Sequence, residues 1–283
     1  MTTNIQKDKA IAFRQMHQEV QQNRQPLILP NAWDAASAAV FYKAGFRAIA
    51  TTSSGVAAAY GYPDGERISQ KYMLQAIENI ASSVDCPVTA DIESGFGANI
   101  RDVLEPIQAV ISMGAVGINI EDSTKHGKRT LVDVSYQVEL LKAIQELGRS
   151  LDVPLVINAR TDVFLLPADN AADRVEQAAR RLNIYRQAGA DCLFPIGVSD
   201  ADTIAKLVQA VSGPINILAG PGTPSLTELA QLGVARVSFG SGPMRAALGR
   251  LQRIAQELLT QGTYSTMFEE AISGAELRSL FQE

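Results

Sequence analysis

Asp91 and Glu93 stand two apart at the end of a short apolar run beginning at Cys86, and Glu121 closes another run, Gly117 to Glu121. If both runs are neighbouring β-strands, residues two apart share a face. Asp91 and Glu93 then point the same way, and Glu121 sits at the equivalent end of the adjacent strand. Carboxylates gathered at one place repel one another unless something positive neutralises them. A hard divalent cation does so, and an all-oxygen donor set that retains several waters suits Mg2+ or Mn2+. Zinc is disfavoured, because no His or Cys lies at that end of the runs. The competing reading is a set of separate, solvated loop acids, or an ion pair with Arg160.

Other polar residues fall at comparable places. Arg160, in Asn158-Ala159-Arg160-Thr161-Asp162, offers a planar fork for a carboxylate or phosphonate. It can equally partner Glu93 or Glu121, and the two roles can coexist. The segment Thr52-Ser53-Ser54-Gly55 can present backbone N–H groups and hydroxyls to an anion, or be an ordinary strand-end turn. Asn216 lies on a later strand and is counted with the substrate-binding group. His17 and His126 are the only histidines. His17 falls in an N-terminal amphipathic segment and reads as a surface or packing residue. His126 lies in the polar loop Ser123 to Lys128, directly after the acidic cluster. There His126 or Lys125 can serve as a proton donor on a lid, or the loop can be merely mobile and exposed.

Such chemistry needs a scaffold that brings distant loops together. Short, nearly continuous apolar runs recur eight times; those from Ala44, Met113, Ala188 and Leu232 follow a small residue plus Gly, and those from Pro26, Cys86, Val153 and Gly213 lack that lead-in. They suit strands buried on both faces of a parallel sheet. Helix candidates follow them near 33–44, 69–84, 100–113, 133–149, 170–188, 199–211, 224–232 and 242–261. In 283 residues this alternation implies an α/β fold, the closed (β/α)8 TIM barrel. An open doubly wound sheet is the runner-up, and no GxGxxG follows the first strand to support it. In such barrels the active site lies at the C-terminal ends of the strands, where the polar residues named above fall. Two amphipathic segments lie outside the repeat, an N-terminal helix at 8–21 and a C-terminal helix at 266–282. The apolar face of each must be buried on the barrel or on a neighbouring subunit. No linker divides the chain, so 1–283 reads as one domain.

Composition narrows the function further. Apolar residues make up 46% of the chain and charged residues 19%, so a large core is available. The net charge is -5 with no dense Lys/Arg run, which argues against nucleic acid or an anionic membrane as partner. Cys86 and Cys192 sit in apolar runs and read as core residues. The first ten residues do not resemble a signal peptide, and no stretch approaches a membrane span. The expected compartment is the cytoplasm.

From about Pro30 to Ala247 the chain resembles the isocitrate lyase / phosphoenolpyruvate mutase superfamily. The landmarks are PNAWDAASA from Pro30, TTSSG from Thr51, YPDG from Tyr62, DIESGFG from Asp91, GINIED from Gly117, NARTD from Asn158, YRQAGADCLF from Tyr185 and PSLTELAQLGVARVSFG from Pro224. The resemblance implies a Mg2+-dependent barrel acting on 2-oxo acids, or on 2-hydroxy acids that cleave to them. It implies Asp91 as the direct metal ligand, and Glu93, Glu121 and Asp64 as acids holding the metal's waters. Thr52, Ser53 and Ser54 match the segment that binds the oxo-acid end of the substrate, and Arg160 matches the substrate-binding arginine. The family usually has Asp where this chain has Glu93. It also forms tetramers with the last helix exchanged between subunits, which would account for the apolar face at 266–282.

One departure bears on the reaction. The carbon–carbon lyases of the family carry a Lys-Lys/Arg-Cys-Gly-His lid whose Cys protonates the enolate-type intermediate. Here the matching loop, Ser123-Thr124-Lys125-His126-Gly127-Lys128, is shorter and has no Cys. It does not match the Lys-Thr-Asn lid of the mutase either. The expectation is a divergent lyase or decarboxylase for a small 2-oxo or 2-hydroxy dicarboxylic acid, working through an enolate that water can protonate. The alternatives are carbon–phosphorus chemistry on phosphonopyruvate and a non-catalytic 2-oxo acid binding protein.

Overall fold

The computed structural model describes residues 4–23, 25–124, 129–167 and 171–281. It opens with α1 (Asn4–Asn23) and β1 (Leu27–Leu29), which resumes past Pro30 as Asn31–Ala32. Then come α2 (Ala35–Lys43), β2 (Ile49–Thr51), α3 (Ser53–Ala59), α4 (Gln70–Ser82), β3 (Val88–Asp91), α5 (Ile100–Ser112), β4 (Gly117–Glu121) and α6 (Val134–Ser150). The second half continues with β5 (Val156–Thr161), α7 (Ala171–Gln187), β6 (Cys192–Pro195), α8 (Ala201–Ala210), β7 (Asn216–Leu218), α9 (Leu226–Gln231) and β8 (Arg236–Ser238). After β8 come α10 (Gly242–Thr260), α11 (Ser265–Phe268) and α12 (Gly274–Ser279).

The strands close into a ring in which every pairing is parallel. The first half of β1 pairs with β8, Leu27 opposite Arg236, and its second half pairs with β2, Asn31 opposite Ala50. Pro30 explains the split: it has no N–H to donate, yet its carbonyl still accepts from Ala50 N at 2.9 Å. Strands β2 to β6 then pair in chain order. A single bridge, Leu193 to Ile215, links β6 towards β7, and β7 pairs with β8. This is the expected (β/α)8 barrel.

The strand residues between barrel and helices, among them Ile118, Ile120, Ile157 and Val237, are fully buried. Helix α5 shows how the outer ring attaches. Asn99 caps its start by accepting from Asp102 N, and Val103, Ile107, Val110 and Ile111 form its buried face. Helix α1 lies across the N-terminal ends of the strands: Gln6 donates to the carbonyls of Ile111 and Ala115, and Arg14 to that of Leu155. Phe13 reaches β4 only because position 117 is glycine. A Cβ there would meet the Phe13 ring at 2.9 Å and Val156 O at 3.0 Å.

Two elements differ from the sequence reading. Thr52 to Gly55 begins a short helix, α3, rather than a turn, with Thr52 Oγ1 accepting from Gly55 N. The segment 266–282 is not one helix. Ser273 and Glu276 form a capping box that starts α12 afresh. Several apolar side chains of the segment, including Phe268, Leu277 and Phe281, are exposed.

Candidate active site

A cavity of about 240 Å³ opens at the C-terminal ends of the strands. Asp91, Asp64, Ser53, Ser54, Arg160 and Arg129 are among the residues that line it. Asp91 ends β3 with its carboxylate held on both sides. Oδ2 accepts from Ser53 N at 3.0 Å and Ser53 Oγ at 2.7 Å, and Oδ1 accepts from Asn119 Nδ2 at 2.9 Å. Asn119 is set in turn by Asn158, whose Nδ2 donates to Asn119 Oδ1 at 2.9 Å. Asn31 closes the mouth where β1 passes from β8 to β2: its Oδ1 accepts from Phe239 N and Gly240 N, and its Nδ2 donates to Thr51 O.

Arg160 is fixed from the opposite side. Its Nε donates to Asp162 Oδ1 at 2.6 Å, and its Nη1 lies 2.8 Å from Glu121 Oε2. Ser123 Oγ bridges those two acids, 2.9 Å from Glu121 Oε1 and 2.7 Å from Asp162 Oδ2. Burial opposes the guanidinium charge, but Glu121 and Asp162 outweigh it and hold the Arg160 pKa above its usual value. Burial likewise works against the Asp162 carboxylate, yet Arg160 and Ser123 keep its pKa below the ordinary range. The result is a rigid guanidinium with both carboxylate partners turned away from solvent.

The structure separates the acids that the sequence grouped. The strand ends at Asp91, and Glu93 has φ of 55°, so the two-residue alternation no longer applies between them. Both oxygens of the Glu93 carboxylate lie 3.0 Å from Glu66 N, and the side chain is buried away from the cavity lining. Glu121 is engaged with Arg160 and Ser123. Among the described residues no three His, Cys, Asp or Glu side chains form a metal-binding group. Asp64 does line the cavity, from the loop between α3 and α4.

A hard cation still fits at Asp91. A carboxylate oxygen offers about two acceptor positions. Oδ2 uses two and Oδ1 uses one, so Oδ1 retains a position for a cation. One or two carboxylates plus several waters are what Mg2+ commonly takes.

Of the remaining expected residues, Thr52, Ser53, Ser54 and Asn216 all line the cavity. The Thr52 hydroxyl is occupied in capping α3. Asn216 Nδ2 donates to Ser238 Oγ at 3.1 Å, while its Oδ1 is buried without a hydrogen-bond partner. Lys125 and His126 lie outside the described residues. His17 is buried on α1, its Nδ1 2.8 Å from Phe13 O, far in sequence from the mouth groups and absent from the cavity lining.

Three contributors were not singled out from the sequence. Glu66 anchors the loop after β3 through Ser94 and Phe96. Arg236, the first residue of β8, lines the cavity although it sits in an apolar strand pattern. Asp122 is fully buried and accepts from Thr161 Oγ1, Asp162 N, Arg181 Nε and Tyr185 Oη, which pins the end of β4 to β5 and α7. The spacing of Arg181 and Tyr185, four apart on one helix face, was the available signal for that last network.

The chain matches a family described as phosphoenolpyruvate phosphomutase over residues 13–259. A solved structure from Burkholderia cenocepacia J2315, assigned as a lyase/mutase, is 37% identical, with a TM-score of 0.89 over 99% of this chain and 98% of that one. The 2-methylisocitrate lyase of Halalkalibacterium halodurans is 28% identical over 96% of this chain and 89% of its own length. Phosphonopyruvate hydrolase, solved in complex with oxalate and Mg2+, is 25% identical with a TM-score of 0.82, over 96% of this chain and 94% of that one.

Proposed function

The chain belongs to the phosphoenolpyruvate phosphomutase family, within the isocitrate lyase / phosphoenolpyruvate mutase superfamily of enzymes, and from that premise we propose its reaction. It is a Mg2+-dependent lyase or decarboxylase for a small 2-oxo or 2-hydroxy dicarboxylic acid, working through an enolate. The observation that carries this reading is the placement of the fixed Asp91 carboxylate and the fixed Arg160 guanidinium on one cavity.

Asp91 would hold the cation directly, with Asp64 the nearest further acid in the lining, and Glu93 and Glu121 set behind it. The cation would supply positive charge beside the substrate's oxygens as an enolate develops. The chain's own groups do the rest. Arg160 receives the substrate carboxylate, in one orientation because Glu121 and Asp162 lock its fork. Ser54, with Ser53 already held on Asp91, offers a polar edge at the oxo-acid end. Leu165, Phe194 and Ile196 line part of the cavity, where apolar surface lowers the local dielectric and strengthens each charge interaction. Decarboxylation needs no dedicated lid acid, since water can protonate the product enolate, and this suits a loop lacking Cys. Lys125 and His126 are the candidate donors if the reaction needs one.

Relatives include enzymes named for methylisocitrate and phosphonopyruvate, so the test is a panel. Oxaloacetate, alkylmalates and methylisocitrate are incubated with protein and Mg2+, and release of pyruvate or another 2-oxo acid is followed. Release that stops on chelation supports the reading. Folded, metal-loaded protein that turns over none of them rejects it.

No described helix is long and apolar enough to cross a membrane, and the protein is proposed to work in the cytoplasm. The exposed apolar side chains at the C-terminal end, among them Leu259, Phe268 and Phe281, support a homotetramer in which this segment packs on a neighbouring subunit. Light scattering of the full chain checks this; a monomer at micromolar concentration would remove it.

A further inference from the structure

Among the described residues, no acidic side chain forms an ion pair with Arg236. Arg236 is 2% exposed, and its Nε and Nη1 have no hydrogen-bond partner. Burial pulls its pKa below the ordinary guanidinium value, against weaker opposing influences from Cys192 and Asp91. Burying a guanidinium without a hydrogen-bonded counter-charge is strongly unfavourable. The inward positions of such barrels are normally filled by bulky branched apolar residues. An arginine there breaks the packing rule with no structural partner to account for it, which is the pattern expected at a functional position.

Its depth gives the role. Arg236 and Ser238 are two apart on β8 and both line the cavity. At the rise of a strand, Arg236 starts about 7 Å further from the mouth than Ser238. Arg160, by contrast, is one residue from the C-terminal end of β5. The cavity therefore has Arg160 and Arg129 near its mouth and another cationic group entering from its floor. The floor also holds acceptors without partners, Thr89 Oγ1, Asn158 Oδ1 and Asn216 Oδ1.

We propose that Arg236 is the anion-binding group of a floor subsite, and that it receives a second acid group of the substrate, remote from the oxo-acid end. This rests on the reading of the mouth as an oxo-acid site. It narrows the substrate to an acid long enough to span mouth and floor, and makes Arg236 the residue that discriminates dianions from monoanions.

The test is calorimetry on the full chain with Mg2+, using ligands that differ only in the remote group. The pairs are 2-oxoglutarate against 2-oxovalerate, and malate against 2-hydroxybutyrate; oxalate reports on the mouth alone. The wild type should favour the diacid of at least one pair by about tenfold, the worth of a charged hydrogen bond. Arg236→Met should erase that preference and leave oxalate binding unchanged. Arg236→Lys, which keeps the charge but loses the fork, should retain part of it. Oxalate binding with no diacid preference in the wild type overturns the floor subsite alone, whether or not the Met variant folds. A preference that survives intact in Arg236→Met or Arg236→Lys overturns it too, and leaves Arg236 as a group solvated by buried water. No oxalate binding to the wild type removes the mouth reading, and the floor subsite with it.

Discussion

Glu66 and Glu93 hold each other's loops in place. The Glu93 carboxylate accepts from Glu66 N through both oxygens at 3.0 Å. Glu66 Oε1 in turn accepts from Ser94 N, Ser94 Oγ and Phe96 N at 3.0, 2.6 and 3.1 Å. Glu66, Glu93 and Phe96 all have φ between 55° and 58°, the left-handed region that is unfavourable for side chains with a Cβ. The clasp thus maintains three strained residues and ties the loop carrying Asp64 to the loop leaving β3.

Removing one half of that clasp should loosen the mouth. Glu66→Ala strips the acceptor from two backbone N–H groups, a loss of about 2 kcal/mol, which corresponds to about 3 °C in Tm for a chain of this size. KM for the oxo-acid substrate should rise more than kcat falls, because the cavity wall moves while Asp91 and Arg160 stay fixed. Glu66→Gln retains an acceptor oxygen and should be milder on both measures. Thermal melts and steady-state kinetics on the three proteins check this; an unchanged Tm in Glu66→Ala contradicts it.

Asp91→Ala should abolish cation-dependent turnover and leave the fold intact, because the residue stands at the rim of the barrel. Mn2+ binding, followed by electron paramagnetic resonance, should be lost in the same variant. Retained Mn2+ affinity would move the cation away from β3.

Glu121 gives the contrasting case. Its carboxylate serves Arg160, so Glu121→Gln leaves a buried guanidinium with Asp162 as its remaining partner. Breaking a buried pair in this way destabilises by about 3 kcal/mol. Substrate affinity should drop as Arg160 loses its fixed orientation, while Mn2+ affinity stays within a few-fold of wild type. If Mn2+ affinity instead falls as far as in Asp91→Ala, Glu121 belongs to the cation's surroundings and its tie to Arg160 is secondary.

Sequence patterning records the barrel and its strand-borne groups, and it does not record contacts made beyond the strand ends. The barrel is legible because each strand is a short apolar run and each helix has a cap or periodic face, as at Asn99 and Val103 to Ile111. Asp91 and Arg160 are legible because they sit within strands, where the two-residue alternation fixes direction. Glu93 is not, because a left-handed residue beyond the strand end turns its side chain back towards Glu66. The pairing of Glu121 with Arg160 follows from their being opposite in register on β4 and β5, which needs the strand alignment and not the strand identity. Arg236 was hidden for a different reason: a charged residue inside an apolar run carries no periodic signal of what lies beside it.

The pH dependence of stability should carry the signature of His17, away from the active-site cavity. His17 is 2% exposed on α1, Nε2 has no hydrogen-bond partner, and Nδ1 lies against Phe13 O. Burial, reinforced by the Arg236 charge, lowers its pKa to about 3 from an ordinary 6.5. Above pH 6.5 the histidine is neutral in both folded and unfolded chains and has no effect on the balance. Below 6.5 the unfolded chain takes up a proton that the folded chain refuses, so stability falls as pH falls, until the folded pKa is passed near 3. The slope is about 1.4 kcal/mol per pH unit, or about 2 kcal/mol between pH 6.5 and 5, a range in which most carboxylates remain ionised. His17→Gln cannot take the proton, so its stability should be flatter over that range whatever its absolute Tm. Parallel melts of the two proteins from pH 7 to 5 give the comparison, and equal slopes would mean that His17 is not held neutral by the fold.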